Sequence, residues 1–371
     1  MRSKRSSGAK FQSPRIEGCN LDEERCLACL FGSVALAALA GCGKDEAQAP
    51  PPAKETVTVT DSKGNELTLP CPPERVVVLG GYTAEMIKAL GAEKAVIGID
   101  ESTKEKTGWP AYVNKLPAVG SSSTPDVEAI VALKPDLVVA SFLKPELQVK
   151  LEEAGIPVLW AYGYKTELIP QEIRTLGRVF AREGRAEEYA QYIEQHWQAV
   201  KERVAHLTPE QKPRVYWESS FGAYKTHSKG SGADPLIRWA GGINIAGEEP
   251  VAYPKVSAEW LVEKNPDVII KYAKRDVAGW HVTDSREMEK LRAEIMARPG
   301  LKETNAAKNG RVYLISDLIT CAPRGAVGIY YIAKWLHPDV FRDIDPEAIH
   351  KEMLEKFYGE ELRGTWVLQP E

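Results

Sequence analysis

The chain has 371 residues, 43% of them hydrophobic and 27% charged, enough for a sizeable buried core and for two compact lobes. That balance excludes a disordered or fibrous chain. A formal net charge of -4 excludes the broad basic field that gathers nucleic acid, so no nucleic-acid partner is expected.

In chain order, residues 27–41 come first as an almost unbroken apolar run. It is too short to cross a bilayer as a helix and has the length of the h-region of a secretory signal. The run closes on Leu39-Ala40-Gly41-Cys42. This ending resembles a bacterial lipobox, which implies that residues 1–41 are a signal peptide and that Cys42 carries a lipid. Acidic Asp22, Glu23 and Glu24 beside the run are unusual for such a signal, and a start placed too far upstream accounts for them. Cys19, Cys26 and Cys29 fall in the discarded part, so the CxxC spacing of the last two carries no redox or zinc role. Cys71 and Cys321 lie in opposite halves of the remainder and are expected to be free thiols. Residues 42–55, with Pro50-Pro51-Pro52, have the composition of an extended tether from a membrane.

The body alternates short β-branched runs with longer amphipathic stretches, the pattern of α/β folds with parallel sheets. Residues 75–79, 95–99, 136–140 and 157–161 read as strands of a first lobe, and 214–218, 267–272 and 311–315 as strands of a second. Between them, residues 170–206 carry apolar groups at helical spacing with no interruption beyond Gly177 and Gly184. The expectation is an α/β protein of two Rossmann-like lobes joined by a single long α-helix, with a ligand cleft between the lobes. The boundaries are 56–168 for the N-terminal lobe, 169–207 for the connecting helix and 208–371 for the C-terminal lobe with its terminal helices. A helix rising about 1.5 Å per residue resists bending, so the lobes are expected to move little.

An internal repeat supports two related lobes. Asp126-Val127-Glu128 precedes Lys134-Pro135-Asp136, and Ser257-Ala258-Glu259 precedes Asn265-Pro266-Asp267, with the glutamate-to-proline spacing the same in both. Asp126 and Ser257 suit helix N-caps, and each glutamate then sits in a first turn where the helix dipole favours negative charge. Dipole stabilisation alone does not require matched positions.

The segments TVTDSKGNELTLPCPPERVVVLG, LGAEKAVIGID, LPAVGSSSTPDVEAIVALKPDLVVAS, AGGINIA and VSAEWLVEKNPDVII resemble class III periplasmic substrate-binding proteins, which serve importers of ferric siderophores, haem and vitamin B12. The resemblance runs from about Thr56 to about Leu336. It implies an exported, membrane-anchored, monomeric receptor facing the periplasm or cell exterior. Its partners would be an ABC permease dimer and its ATPase, and its ligand an iron chelate, haem or a corrinoid. It also implies that Glu128 and Glu259, at the matching positions, dock on permease arginines.

In open α/β sheets ligands lie beyond the carboxyl ends of the strands, which directs attention to the strand-end loops. Those loops supply the candidate ligand contacts Tyr82, Thr83, Ser141, Tyr162, Tyr164, Phe221, Tyr224, Tyr272 and Arg324. Aromatic groups suit a large, flat or partly apolar ligand, although each ring could equally belong to a core. Lys225, Lys229, Lys271, Lys274, Arg275 and Arg324 fall in or beside second-lobe loops and would complement an anionic ligand. Arg324, between Pro323 and Gly325, is the leading candidate because guanidinium pairs bidentately with carboxylate. His227 and His281 lack a second ligand at metal-binding spacing and read as surface histidines, so no metal site and no cofactor are expected. GxSxG, HExxH and GxxxxGK[ST] are absent, which leaves no anchor for an enzyme. The reading from another class, an exported enzyme that processes a metal chelate, rests only on the arginine, tyrosine and cysteine of the late loop.

Overall fold

The computed structural model describes residues 55–107, 111–321 and 323–369. The expected signal peptide, Cys42 and nearly all of the expected tether lie outside the described residues. The first described element is a hairpin that the sequence reading missed: β1 (Thr56–Thr60) pairs antiparallel with β2 (Glu66–Pro70). Asp61 closes its turn, accepting the backbone N–H groups of Lys63 and Asn65 at 2.8 Å each.

The first lobe is built from β3 (Val76–Leu79), α1 (Gly81–Ala89), β4 (Val96–Ile99), α2 (Glu101–Thr107), α3 (Val127–Ala132), β5 (Leu137–Ala140), α4 (Pro145–Glu153) and β6 (Val158–Trp160). Its sheet runs β4-β3-β5-β6, all parallel. Parallel strands are covered on both faces, and the unbroken Val76-Val77-Val78-Leu79 run follows from that. Val76 and Val78 face the core shared with the second lobe, whereas Val77 and Leu79 face the outer layer of the first.

The connector differs from the expected uninterrupted run. It consists of α5 (Ile169–Val179) and α6 (Glu183–Val204), so the helix that crosses between the lobes has 22 residues. The stop is a Schellman-type turn: the Arg182 N–H donates to Gly177 O at 2.7 Å and Ala181 sits at φ 50. Sequence gave no warning, because alanine rarely takes the left-handed conformation. Gly177 is required by packing, since a Cβ there would lie 2.2 Å from Ala186 Cβ on α6. Arg174 locks the two helices together, pairing with Glu187 and Glu194.

The second lobe contains β7 (Arg214–Glu218), α7 (Ala233–Trp239), β8 (Ile243–Asn244), α8 (Ala258–Lys264), β9 (Val268–Ala273), α9 (Arg286–Met296), α10 (Asn305–Lys308), β10 (Val312–Ser316), α11 (Gly325–Leu336), α12 (Pro346–Met353) and β11 (Val367–Leu368). Its sheet runs β11-β10-β9-β7-β8, with only β11 antiparallel. Without β11, both sheets have the same order, the second strand outside the first and the third and fourth on its other side. Direction therefore reverses between β3 and β5 in one lobe and between β7 and β9 in the other. These are the crevices where α/β sheets hold ligands.

Candidate functional site

The loops at those two crevices carry a run of rings. In the first lobe, Phe142 follows β5 and stacks on Tyr164 with centroids 4.7 Å apart and planes 9° apart. Tyr162 meets Tyr164 edge-on at 5.8 Å, and Lys165 Nζ lies 3.7 Å from the Tyr162 ring centre. Glu172 of α5 fixes this loop by accepting the N–H groups of Tyr162 and Gly163 at 2.7 and 2.8 Å. Burial raises the Glu172 pKa, an effect opposed by Ser62 and those two N–H groups. Gly163 sits at φ +69, and a Cβ there would fall 2.9 Å from Tyr82 Cβ. That turn therefore accepts only glycine without strain.

In the second lobe, Tyr272, next to last in β9, is buried against Trp217 at 5.0 Å and His227 at 5.2 Å. His227 also meets Tyr253 edge-on at 5.4 Å. The reading of His227 as a surface residue is corrected: it is 5% exposed, and neither ring nitrogen has a hydrogen-bond partner. Burial, with Lys271 and Lys225 nearby, lowers its pKa to about 3, so the imidazole is neutral. His281 is exposed as expected.

The lobes touch at Tyr82 of α1. Its ring centre lies 5.8 Å from the Arg275 guanidinium carbon, and its hydroxyl hydrogen-bonds Cys321. Cys321 Sγ is 3.6 Å from the Tyr272 hydroxyl, and Asp317 lies 3.8 Å from Arg275. Burial, then the neighbouring Asp317 carboxylate, pushes the Cys321 thiol up to about 11, so it stays protonated. Cys71 and Cys321 are both free.

The candidates thus divide. Tyr82, Tyr162, Tyr164 and Tyr272 belong to this cluster, and Phe221 stands 81% exposed on the loop after β7. Thr83 and Ser141 are buried and hold loops together: both hydroxyls donate to Ala161 O, at 3.2 and 2.8 Å. Tyr224 packs on the outer core of the second lobe beside Arg298, away from the rings.

Two charged candidates are corrected. Arg324 is fully buried immediately before α11 and pairs bidentately with Glu85, at 2.8 and 3.1 Å. Its guanidinium therefore faces a protein carboxylate, not the cleft rim. Lys271 is 6% exposed and pairs with Glu218 at 2.9 Å, while Arg298 holds the other carboxylate oxygen at 2.7 Å. Lys225, Lys229, Lys274 and Arg275 keep at least partial exposure. Phe142, Tyr253 and His227 are the ring residues that the candidate set lacked. Phe142 was visible as a strand-end residue, whereas nothing local marks Tyr253 or His227.

Glu128 and Glu259 are exposed in the first turns of α3 and α8. Asp126 accepts the N–H of Ala129 at 3.0 Å and Ser257 that of Trp260 at 3.1 Å, so the caps match across the repeat. The Glu259 carboxylate also hydrogen-bonds Ser257 and its own backbone N–H, which lowers its pKa, while remaining exposed at the surface.

A family model described as "Periplasmic binding protein" matches residues 76–318. An uncharacterized ABC transporter substrate-binding lipoprotein of Bacillus subtilis (strain 168), YvrC, is 26% identical over 329 residues, covering 85% of this chain and 98% of its own. The molybdate-binding protein MolA of Haemophilus influenzae is 24% identical over 365 residues, covering 90% of this chain and 95% of its own. Among solved structures, the TroA-like periplasmic binding protein FepB from Veillonella parvula superposes with a TM-score of 0.71 at 24% identity, covering 85% of this chain and all of that one.

Proposed function

The chain belongs to the periplasmic binding protein family, and from that premise we propose that it captures a metal chelate with organic faces, a ferric siderophore or haem, for an ABC importer. Proteins of this kind bind ligand and hand it to a permease and its ATPase. The observation that carries the ligand class is the convergence of Phe142, Tyr162, Tyr164, Tyr82, Tyr253 and Tyr272 where the two crevices face one another. Ring faces bury large apolar area and stack on flat ligands. His227 adds a neutral nitrogen donor within the cluster, suited to a metal with an open coordination position. A corrinoid presents the same combination of apolar macrocycle and metal and is the alternative cargo.

MolA is named for a small oxyanion, and such an anion needs converging cationic donors. Here Arg275 lies beside Asp317, Lys271 is held by Glu218 and Arg324 by Glu85. Those pairings favour the organic cargo. Glu128 and Glu259 are assigned to docking on the permease, and Cys42 to lipid attachment at the outer face of the membrane.

Titration of tryptophan fluorescence with haemin, a ferric catecholate, cobalamin and molybdate tests the ligand class, because Trp217 packs on Tyr272 within the cluster. Saturable quenching at one chelate per chain supports the reading. Quenching by molybdate alone would replace it with the oxyanion reading.

A further inference from the structure

The deepest contact between the lobes is ionic. Glu85 lies on α1, one turn beyond Tyr82, and is 2% exposed; Arg324 precedes α11 and is 0% exposed. Two N–H groups of the guanidinium, Nε and Nη2, reach the two oxygens of one carboxylate at 2.8 and 3.1 Å. The Tyr358 hydroxyl donates to the same Oε1 at 2.9 Å, and Tyr189 of α6 hydrogen-bonds Tyr358. First-lobe helix, second-lobe loop, crossing helix and C-terminal segment therefore close on a single carboxylate. Arg185 of α6 adds a parallel tie, donating to Ala89 O at 2.7 Å and Phe357 O at 2.9 Å.

Burying two charges is expensive, and apolar side chains of similar volume commonly hold two surfaces together as well. What a bidentate pair adds is geometry: it fixes distance and orientation together. Position in the chain shows what that geometry serves. Three residues before Glu85 is Tyr82, and three before Arg324 is Cys321, the two groups that meet across the cleft. The crossing helix is shorter than the sequence suggested, so it is not the only candidate for holding the lobes at a fixed angle.

We propose that Glu85 and Arg324 are positioning residues that set the width of the ligand cleft, with Tyr358 steadying the carboxylate between them. The word ligand rests on the proposed function, but the strut itself is tested without any cargo.

The measurement is a pulsed electron–electron distance distribution on the full-length, ligand-free protein. Nitroxides are attached to ketone-bearing unnatural residues at exposed Val149 and Lys302, one in each lobe, which spares the native thiols. The wild-type chain should give one narrow distance. The double variant Glu85→Leu, Arg324→Met keeps volume and removes both charges, and its distribution should widen at least twofold while it still melts cooperatively. A folded double variant with the wild-type width overturns the proposal and leaves the pair as core filling. If that variant does not fold, Tyr358→Phe is measured next, because it keeps both charges and removes only the hydroxyl donor. A wider distribution in Tyr358→Phe supports the strut; an unchanged one removes the part of Tyr358, and Glu85→Gln, which keeps the volume and breaks the bidentate pairing, then overturns the strut if its width is also that of the wild type. Failure of every chelate to bind, with the widening observed, would remove the cargo reading and leave the strut standing.

Discussion

His227 offers a direct test of the cleft interior. The unfolded chain takes up a proton on this imidazole near pH 6.5, whereas the folded chain does so only near 3. Between those values the unfolded state binds more protons, so stability falls as pH falls through the window. Each pH unit removes about 1.4 kcal/mol, so going from pH 7 to pH 4 removes about 3 kcal/mol through this one residue. His227→Phe keeps a ring beside Trp217, Tyr253 and Tyr272 and has no nitrogen to protonate. At roughly 1.5 °C per kcal/mol for a chain with more than 300 folded residues, the variant should lose about 4 °C less in melting midpoint between pH 7 and pH 4 than the wild type. Glu172 and Asp317, whose pKa values burial raises, act in the opposite direction but are common to both proteins and cancel in the comparison. Scanning calorimetry at the two pH values reads the difference. Equal losses in the two proteins would show that the imidazole is not held neutral among these rings.

The double variant Glu128→Arg, Glu259→Arg should keep its melting midpoint and chelate affinity while losing stimulation of the transporter's ATPase; loss of affinity first would sink the docking assignment. Tyr164→Ala removes the ring stacked on Phe142, and chelate affinity should fall about tenfold by fluorescence titration, the scale of one aromatic pair. Gly177→Leu forces α5 from α6 and should cost about 1 to 3 kcal/mol in urea unfolding, with binding stoichiometry unchanged; a neutral outcome would contradict the close helix contact. Cys42→Ala should leave an uncleaved precursor without an acyl group by mass spectrometry, and acylation of that variant would show that the lipid is elsewhere.

What could be read from the chain follows from how local each signal is. The central strands of both lobes were visible because buried parallel strands need runs such as Val76-Val77-Val78-Leu79, and such runs mark themselves, whereas the two-residue edge strands β8 and β11 are too short to do so. The paired helix starts at Asp126 and Ser257 were visible because capping acts over three residues. Arg324 was misplaced because its partner, Glu85, lies 239 residues away in the chain, and an arginine between proline and glycine looks alike whether it faces water or a carboxylate. His227 was missed for a similar reason: Thr226-His227-Ser228-Lys229 has surface composition, and only the tertiary fold packs Trp217 and Tyr272 around it. The helix break at Ala181 carries no glycine or proline to announce it. Of the site, the ring types and their loops were legible, whereas the charges that the fold neutralises were not.

The central claim is that this cleft carries a metal chelate unchanged, and the most direct test is the full-length protein purified from its native host without added ligand. Its visible spectrum and metal content, followed by release of the bound molecule and its mass, decide the matter. One equivalent of iron or cobalt with an organic chelate of unaltered mass is the expected result. A protein carrying a bare oxyanion, or one that returns a supplied chelate with its metal removed or exchanged, would contradict it.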